Sequence, residues 1–305
     1  MWRRMVAVAG CAVLAAGFVP SAASGAPQAT TQACSAGIGA VTAQGEHVFR
    51  GLKATNPPSL SGGSTALKLY APGAVRLSTY FEDYPGAGND TSRSGYVVIG
   101  DGLYNSGYYL NGDREVEPGW APTRIGGGWS NFTQVERATF DKPVGSGIVP
   151  RTELYGLRKD GVLFRWHWTS AGLRASGSYP GFSAVKSMAV ISKTQTYDTF
   201  IANTRSGGLY TIRIPTTSPM KPIVKQVRAG TWQGFETLIA DACGQYGTLL
   251  LGIDKDTGAG YAYAVGHANG TATVINGLGK VNGTFTDPVH FRLSGVSFYD
   301  WLNGE

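Results

Sequence analysis

Apolar and polar residues alternate along most of the chain in short runs, separated by clusters of Gly, Asn, Asp and Ser. A period of two, with β-branched and aromatic residues on the apolar phase, predicts strands joined by tight turns. The stretch Thr152 to Trp168, TELYGLRKDGVLFRWHW, shows the design: strand, turn at Lys159-Asp160-Gly161, strand. Asp-Gly is a preferred hairpin pair because Gly takes positive φ without a steric penalty. In the second strand Val162, Phe164, Trp166 and Trp168 share one face, and Leu163, Arg165 and His167 share the other. Trp166-His167-Trp168 is therefore no reactive cluster, and Trp166 is expected to pack in a core.

The same hairpin recurs at Tyr197 to Ile214 and Gly247 to Val265, in a shorter copy at Gly37 to Leu52, and in a degenerate copy at Gly95 to Gly112. Its turn glycines read as Gly45, Gly107, Gly161, Gly207 and Gly258, at intervals of 62, 54, 46 and 51 residues. The long first interval predicts an insertion within Asn56 to Asn89. A second mark falls between the hairpins, in segments that end at Phe132, Val185, Phe235 and Phe285, 53, 50 and 50 residues apart. Two marks with one period of about 50 match a four-stranded propeller blade. The expected fold is an all-β propeller of five blades, or six, in a single domain over residues 30–305. The tail from Pro288 to Asn303 reads as strand. It is expected to join the N-terminal blade and close the ring, because an open propeller would leave two sheet edges bare.

The first residues depart from this pattern. Arg3 and Arg4 precede an uncharged apolar run, then small residues, which is the order of a secretion signal. Residues 1–29 are read as signal peptide and short leader of bacterial character, and the protein as secreted. No later run approaches the ~20 apolar residues of a membrane span. Two cysteines remain after the signal, Cys34 and Cys243, and an exported protein is expected to pair them. Loop closure that long is worth on the order of 4–5 kcal/mol. Only 15% of residues are charged and the net charge of +6 is spread without a basic block, which argues against nucleic acid as a partner.

Reactive chemistry finds little support. His47, His167, His267 and His290 form no pair at metal-ligand spacing, so no metal and no cofactor is expected. Asp254 to Gly258 is read as a hairpin turn rather than a calcium loop. Close carboxylate pairs occur at Glu82/Asp83, Glu115/Glu117 and Asp254/Asp256. A propeller glycosidase or lyase therefore stays as the alternative, which would need two carboxyls about 5–9.5 Å apart. A sugar site asks for an aromatic platform and a few fixed polar groups. Trp129, Asn131, Trp232 and Gln233 are the candidates to supply them from inter-blade loops.

GGGWSNFTQV followed by ELYGLRKDGVLFRW resembles the tachylectin-like β-propellers. Trp129 and Phe132 match that family's Gly-Trp-x-x-Phe element. Leu154, Tyr155, Asp160, Gly161, Leu163 and Phe164 match its hairpin, and Trp232 with Phe235 begin a second copy. The resemblance spans residues 33–303 and is clearest from Ile125 to Val265. It implies a lectin of five blades with sugar sites between neighbouring blades, often for N-acetylated hexosamines, and so cell-surface or cell-wall glycans as partners. The copies are unequal, so fewer sites than blades are expected. Secreted propellers of similar look also serve as targeting pieces of toxin assemblies, which leaves a scaffold subunit with a protein partner as a further alternative.

Overall fold

Each repeat of alternating apolar residues folds into an antiparallel sheet. The computed structural model describes residues 33–63, 66–141, 146–295 and 301–305, and the expected signal, residues 1–29, lies outside them. Among the described residues every regular element is a strand. In chain order these are β1 (Ser35–Val41), β2 (Glu46–Lys53), β3 (Ser59–Ser61), β4 (Leu67–Lys68), β5 (Val75–Ser78), β6 (Phe81–Pro85), β7 (Thr91–Ser94), β8 (Tyr96–Ile99), β9 (Gly102–Asn105), β10 (Tyr108–Leu110), β11 (Thr123–Gly126) and β12 (Phe132–Phe140). They continue as β13 (Arg151–Arg158), β14 (Leu163–Thr169), β15 (Gly172–Tyr179), β16 (Val185–Lys193), β17 (Tyr197–Thr204), β18 (Leu209–Pro215), β19 (Ile223–Arg228), β20 (Thr237–Cys243), β21 (Gly247–Asp254), β22 (Ala259–Val265), β23 (Ile275–Lys280) and β24 (Val289–Ser294).

Four sheets have four strands each: β5-β8-β9-β11, β12 to β15, β16 to β19, and β20 to β23. A fifth has eight, ordered β10-β7-β6-β24-β1-β2-β3, with β4 also on β2. One strand from each sheet (β5, β12, β16, β20 and β24) neighbours the next in a closed cycle. Ser78, Gln134, Ser187, Leu238 and Arg292, one from each of these, line a single axial channel of about 50 Å³. This is a β-propeller of four-stranded blades. The first part of the expected tail closes it, with β24 pairing antiparallel with β1 from Gly37↔Leu293 to Val41↔Val289, whereas Leu302 and Asn303 bond to Lys193 and Ser192 of β16 and not to the N-terminal blade.

The core lies between successive sheets rather than inside them. Tyr155, Leu157 and Leu163 of one sheet meet Val190, Phe200 and Ile212 of the next. Leu250 and Val265 meet Ile201 and Leu209 in the same way. Each such fully buried side chain is worth roughly 1.5–3 kcal/mol. The split of the β14 faces agrees with the alternation. Phe164, Trp166 and Trp168 join one interface and Leu163 the other. His167 turns to Glu153, with Nδ1 3.2 Å from Oε1.

Backbone hydrogen bonds correct the repeat marks. An aromatic N–H donates to a turn carbonyl of the preceding hairpin five times: Tyr70 to Gly45, Trp129 to Asp101, Phe182 to Gly161, Trp232 to Gly207 and Phe285 to Gly258, at 2.9–3.0 Å. The degenerate hairpin therefore turns at Asp101, between β8 and β9, and not at Gly107. Phe285 is the counterpart of Trp129 rather than of Phe132. The expected insertion starts inside the predicted range and runs past it: β6, within Asn56 to Asn89, joins β7 and β10 in an added ribbon between Phe81 and Leu110. It attaches to β24 by the parallel pairs Leu293↔Phe81 and Ser294↔Glu82. These strands displace the later turn signals, which is why Gly107 mimicked one.

The cysteine pair forms as expected. Cys34 and Cys243 are bonded across a sequence separation of 209, joining the end of β20 to the chain just before β1. Among the described residues no helix is long and apolar enough to cross a membrane.

Candidate functional site

Two copies of the aromatic mark carry tryptophan, and they end in different surroundings. Trp129 and Trp232 are each 5% exposed. The Trp129 ring lies 4.6 Å from Phe132 and 5.0 Å from Trp166. The Trp232 ring lies 4.7 Å from Tyr263 and 5.6 Å from Phe235. Beside Trp232 the cluster is completed by buried Ala268 and half-buried Ile275. Beside Trp129 the blades part, and a cleft of about 430 Å³ opens between β11 on one side and β14 and β15 on the other.

The chain just before Trp129 keeps that cleft open. Gly126, Gly127 and Gly128 contribute backbone only to its wall. Gly128 takes φ +89°, a left-handed conformation that glycine adopts without strain. Asp101 clasps the loop from below, accepting the N–H of Gly128 at 2.9 Å and of Ser130 at 3.0 Å. Those backbone bonds, Gly128 first, hold the Asp101 carboxyl below its usual range. Arg76 donates to the carbonyls of Trp129 (2.8 Å) and Gly100 (3.1 Å), tying loop to turn. The remaining walls are Leu103, Ile125, Phe132, Trp166, Leu173 and Arg174. Trp129 is the buried floor and half-buried Trp166 the accessible ring. The cleft thus offers an aromatic face, an apolar floor and a backbone wall within a volume suited to a small ligand.

The other predicted residues fall outside this grouping. Asn131 is exposed, and its carbonyl accepts the Lys159 N–H at 2.8 Å. Gln233 is exposed and lies over Gly207, where a β-carbon would meet its Oε1 at 2.3 Å. Sequence reasoning missed Trp166 as a wall of the cleft. Strand alternation placed Trp166 on the face of Phe164 and Trp168, yet nothing local shows that this face borders a gap.

Several of the histidines and paired carboxylates named from the sequence are engaged in structural contacts. Among the described residues no three His, Cys, Asp or Glu groups could hold a metal. His47 bonds Tyr108 Oη at 3.2 Å and Tyr70 Oη at 3.1 Å, and burial lowers it to about 3. Burial likewise lowers His290 to about 3. Of the paired carboxylates, Asp83 is bidentate with Arg93 (2.5 and 2.7 Å) and Glu82 pairs with Arg137 at 2.8 Å. Glu136 is the one carboxylate among the described residues lining the axial channel. Its Oε1 accepts the N–H groups of Tyr80 and Arg137 at 3.1 and 2.9 Å. The Asp254 carboxylate accepts the N–H groups of Asp256 and Thr257 at 3.0 and 3.1 Å, the bonding of a hairpin turn.

Neither a protein-family model nor a characterised protein matches the chain. Among solved structures it is similar to a point mutant of the Aleuria aurantia lectin in complex with Fucα1-6GlcNAc, at 14% identity and a TM-score of 0.41, covering 80% of this chain and 78% of that one. It is also similar to AofleA from Arthrobotrys oligospora, at 11% identity and a TM-score of 0.39, covering 88% and 91%. The fission yeast SREBP–SCAP binding domains follow at 12% and 0.33, covering 78% and 58%. At identities and scores this low, the functional reading rests on the geometry of the chain itself.

Proposed function

We propose that this is a secreted, non-catalytic β-propeller that binds cell-surface or cell-wall glycans in the cleft beside Trp129. The observation that carries this reading is the cleft of about 430 Å³ with Trp166 on its wall, set against an axial channel of about 50 Å³. A pyranose presents an apolar C–H face that an aromatic ring can cover, while its hydroxyls seek fixed polar groups. Trp166 supplies the ring, Trp129 supports it from below, and the backbone of Gly126 to Gly128 supplies polar groups. Asn131 lies at the same loop and serves as an outer contact, and Trp232 with Gln233 serves mainly to pack the second copy. The channel is too small for a sugar ring, and its single lining carboxylate does not furnish the two that glycoside hydrolysis needs.

In this reading the ring has five blades. β24, β1, β2 and β3 form the fifth, and β6, β7 and β10 are its addition; the five aromatic-to-turn hydrogen bonds support that count. Residues 30–305 form the mature domain after removal of the signal. A glycan array on the mature protein, including N-acetylated hexosamines and fucosides, tests the function. Binding without hydrolysis, lost in Trp166→Ala, is the expected result. Retention of no glycan in monomeric or multivalent display would overturn it.

A further inference from the structure

We infer that a second binding site, for an uncharged hexose with unsubstituted hydroxyls, lies on the face of the ring opposite the aromatic marks. A cleft of about 490 Å³ opens there, between the ends of β12 and β16, the β20–β21 turn and the segment from Trp301 to Asn303. It is no copy of the Trp129 cleft. The aromatic marks precede the inner strands, whereas this cleft is lined by Phe140 and Lys193, the last residues of β12 and β16. A strand rises ~3.3 Å per residue, so the nine residues of β12 set the two clefts on the order of 25 Å apart.

The aromatic platform of this cleft is Trp301, and its segment is anchored. The Leu302 carbonyl accepts the Lys193 N–H at 3.1 Å, Gly304 donates to the Ile191 carbonyl at 2.8 Å, and the Gly304 carbonyl accepts the Ala268 N–H at 2.6 Å. The Glu305 carboxylate accepts from Thr199 Oγ1 and pairs with Arg213 at 3.2 Å. Leu302 and Gly304 are buried by these contacts, and the alternation turns Trp301 and Asn303 outward. Trp301 is 55% exposed on the cleft wall, where its ring can cover the apolar C–H face of a pyranose. Polar groups surround it. Asn303 Nδ2 donates to the Gln245 carbonyl at 3.4 Å and Gln245 Nε2 to Tyr246 Oη at 3.0 Å. Those bonds use the N–H side of each amide and leave its oxygen to accept from a ligand hydroxyl. Asp141 and Lys193 on the wall have opposite charges, so the lining presents no net charge to an ionised ligand. Most of the Trp129 cleft is apolar side chain and glycine backbone, so the two clefts are expected to hold different sugars. With both filled, one molecule bridges two glycans from opposite ends of its inner strands, and only that consequence rests on the Trp129 cleft being a glycan site.

The test is calorimetric titration of the mature protein with three neutral probes: cellotriose, maltotriose and mannotriose. At least one is expected to bind at one site per chain, about tenfold more weakly in Trp301→Ala and in Gln245→Ala, and unchanged in Trp166→Ala. Trp301 and Gln245 are exposed, so both variants should melt with the parent. The Trp301 indole N–H resonance, identified by its absence from Trp301→Ala, should shift as the probe is added. Binding of none of the three, or binding indifferent to Trp301→Ala, would overturn the second site and leave the Trp129 cleft to be judged by the glycan array. Hexose binding lost in Trp301→Ala, with no N-acetylated hexosamine or fucoside retained on the array, would uphold this site and overturn the reading of the Trp129 cleft.

Discussion

At the scale of single residues, the two tryptophans of the cleft have different duties. Trp129, 5% exposed and packed on Phe132, is mostly core. Trp129→Ala is expected to cost about 3–5 kcal/mol of stability, read as a large fall in the melting temperature. Trp166→Phe keeps an aromatic ring in the interface, so it should melt close to the parent while changing glycan affinity. If both variants melt alike, the division of roles is wrong. The buried histidines give a second residue-scale expectation. His47 and His290 are held near 3 by burial, below the ordinary 6.5 of the unfolded chain. The unfolded chain therefore takes up protons first. The contribution of these groups is complete above pH ~6.5 and is lost as pH falls toward 3, by up to about 1.4 kcal/mol per pH unit for each histidine. Chemical denaturation between pH 7 and 4 should show that slope, and His47→Gln should remove about half of it.

At the scale of elements, the strands were legible and their bookkeeping was not. Periodicity located the hairpins around Gly161, Gly207 and Gly258, because in each the turn signal and both apolar phases are intact. The hairpin that turns at Asp101 was misread: its turn carries Gly-Asp-Gly, and an Asn-Ser-Gly cluster follows within a few residues. Only the hydrogen bond from Trp129 N–H to the Asp101 carbonyl separates the real turn from its imitation. The candidate site was legible in half. The Trp129 mark stands out in the repeat, but the gap beside it depends on how far β11 and β15 stand apart, which no local pattern encodes. The comparison between copies carries its own test. The residue before the aromatic mark has φ +89° at Gly128, +103° at Gly181 and +77° at Thr231. A β-branched residue is strained there. Thr231→Gly should therefore raise stability by about 1 kcal/mol, and Gly128→Thr should lower it by at least as much. Thermal melts of the two variants moving in the same direction would refute this shared geometry. A related constraint acts inside the strands. A β-carbon at Gly252 would come within 2.7 Å of the Phe235 ring, and one at Gly156 within 2.8 Å of the Phe132 ring. These glycines are seats for the aromatic marks, and Gly252→Ala should destabilise by roughly 1–3 kcal/mol through overpacking.

At the scale of the whole molecule, the ring is fastened twice between its last and first segments. β24 pairs with β1 along the backbone, and Cys34–Cys243 ties the neighbouring β20 to the same region. The two fasteners act on different states. Strand pairing is a native-state contact, supported by Ala36, Ile38 and Leu52 packing against Ile239, Leu249 and Leu251. The disulfide acts chiefly by restricting the unfolded chain, and a loop closed over 209 residues is worth about 5 kcal/mol in the entropic account. Removing it should therefore lower the melting temperature without opening the ring. The double variant Cys34→Ala/Cys243→Ala is expected to keep the parent's far-ultraviolet circular dichroism and glycan affinity at 25 °C, and to unfold at lower denaturant with an unchanged native baseline. The cleft beside Trp129 lies between other blades and shares no residue with the disulfide, so binding and stability should separate cleanly. Loss of glycan binding in the oxidation-free variant, at a temperature where its sheet signal is intact, would show instead that tension across the closure is transmitted around the ring.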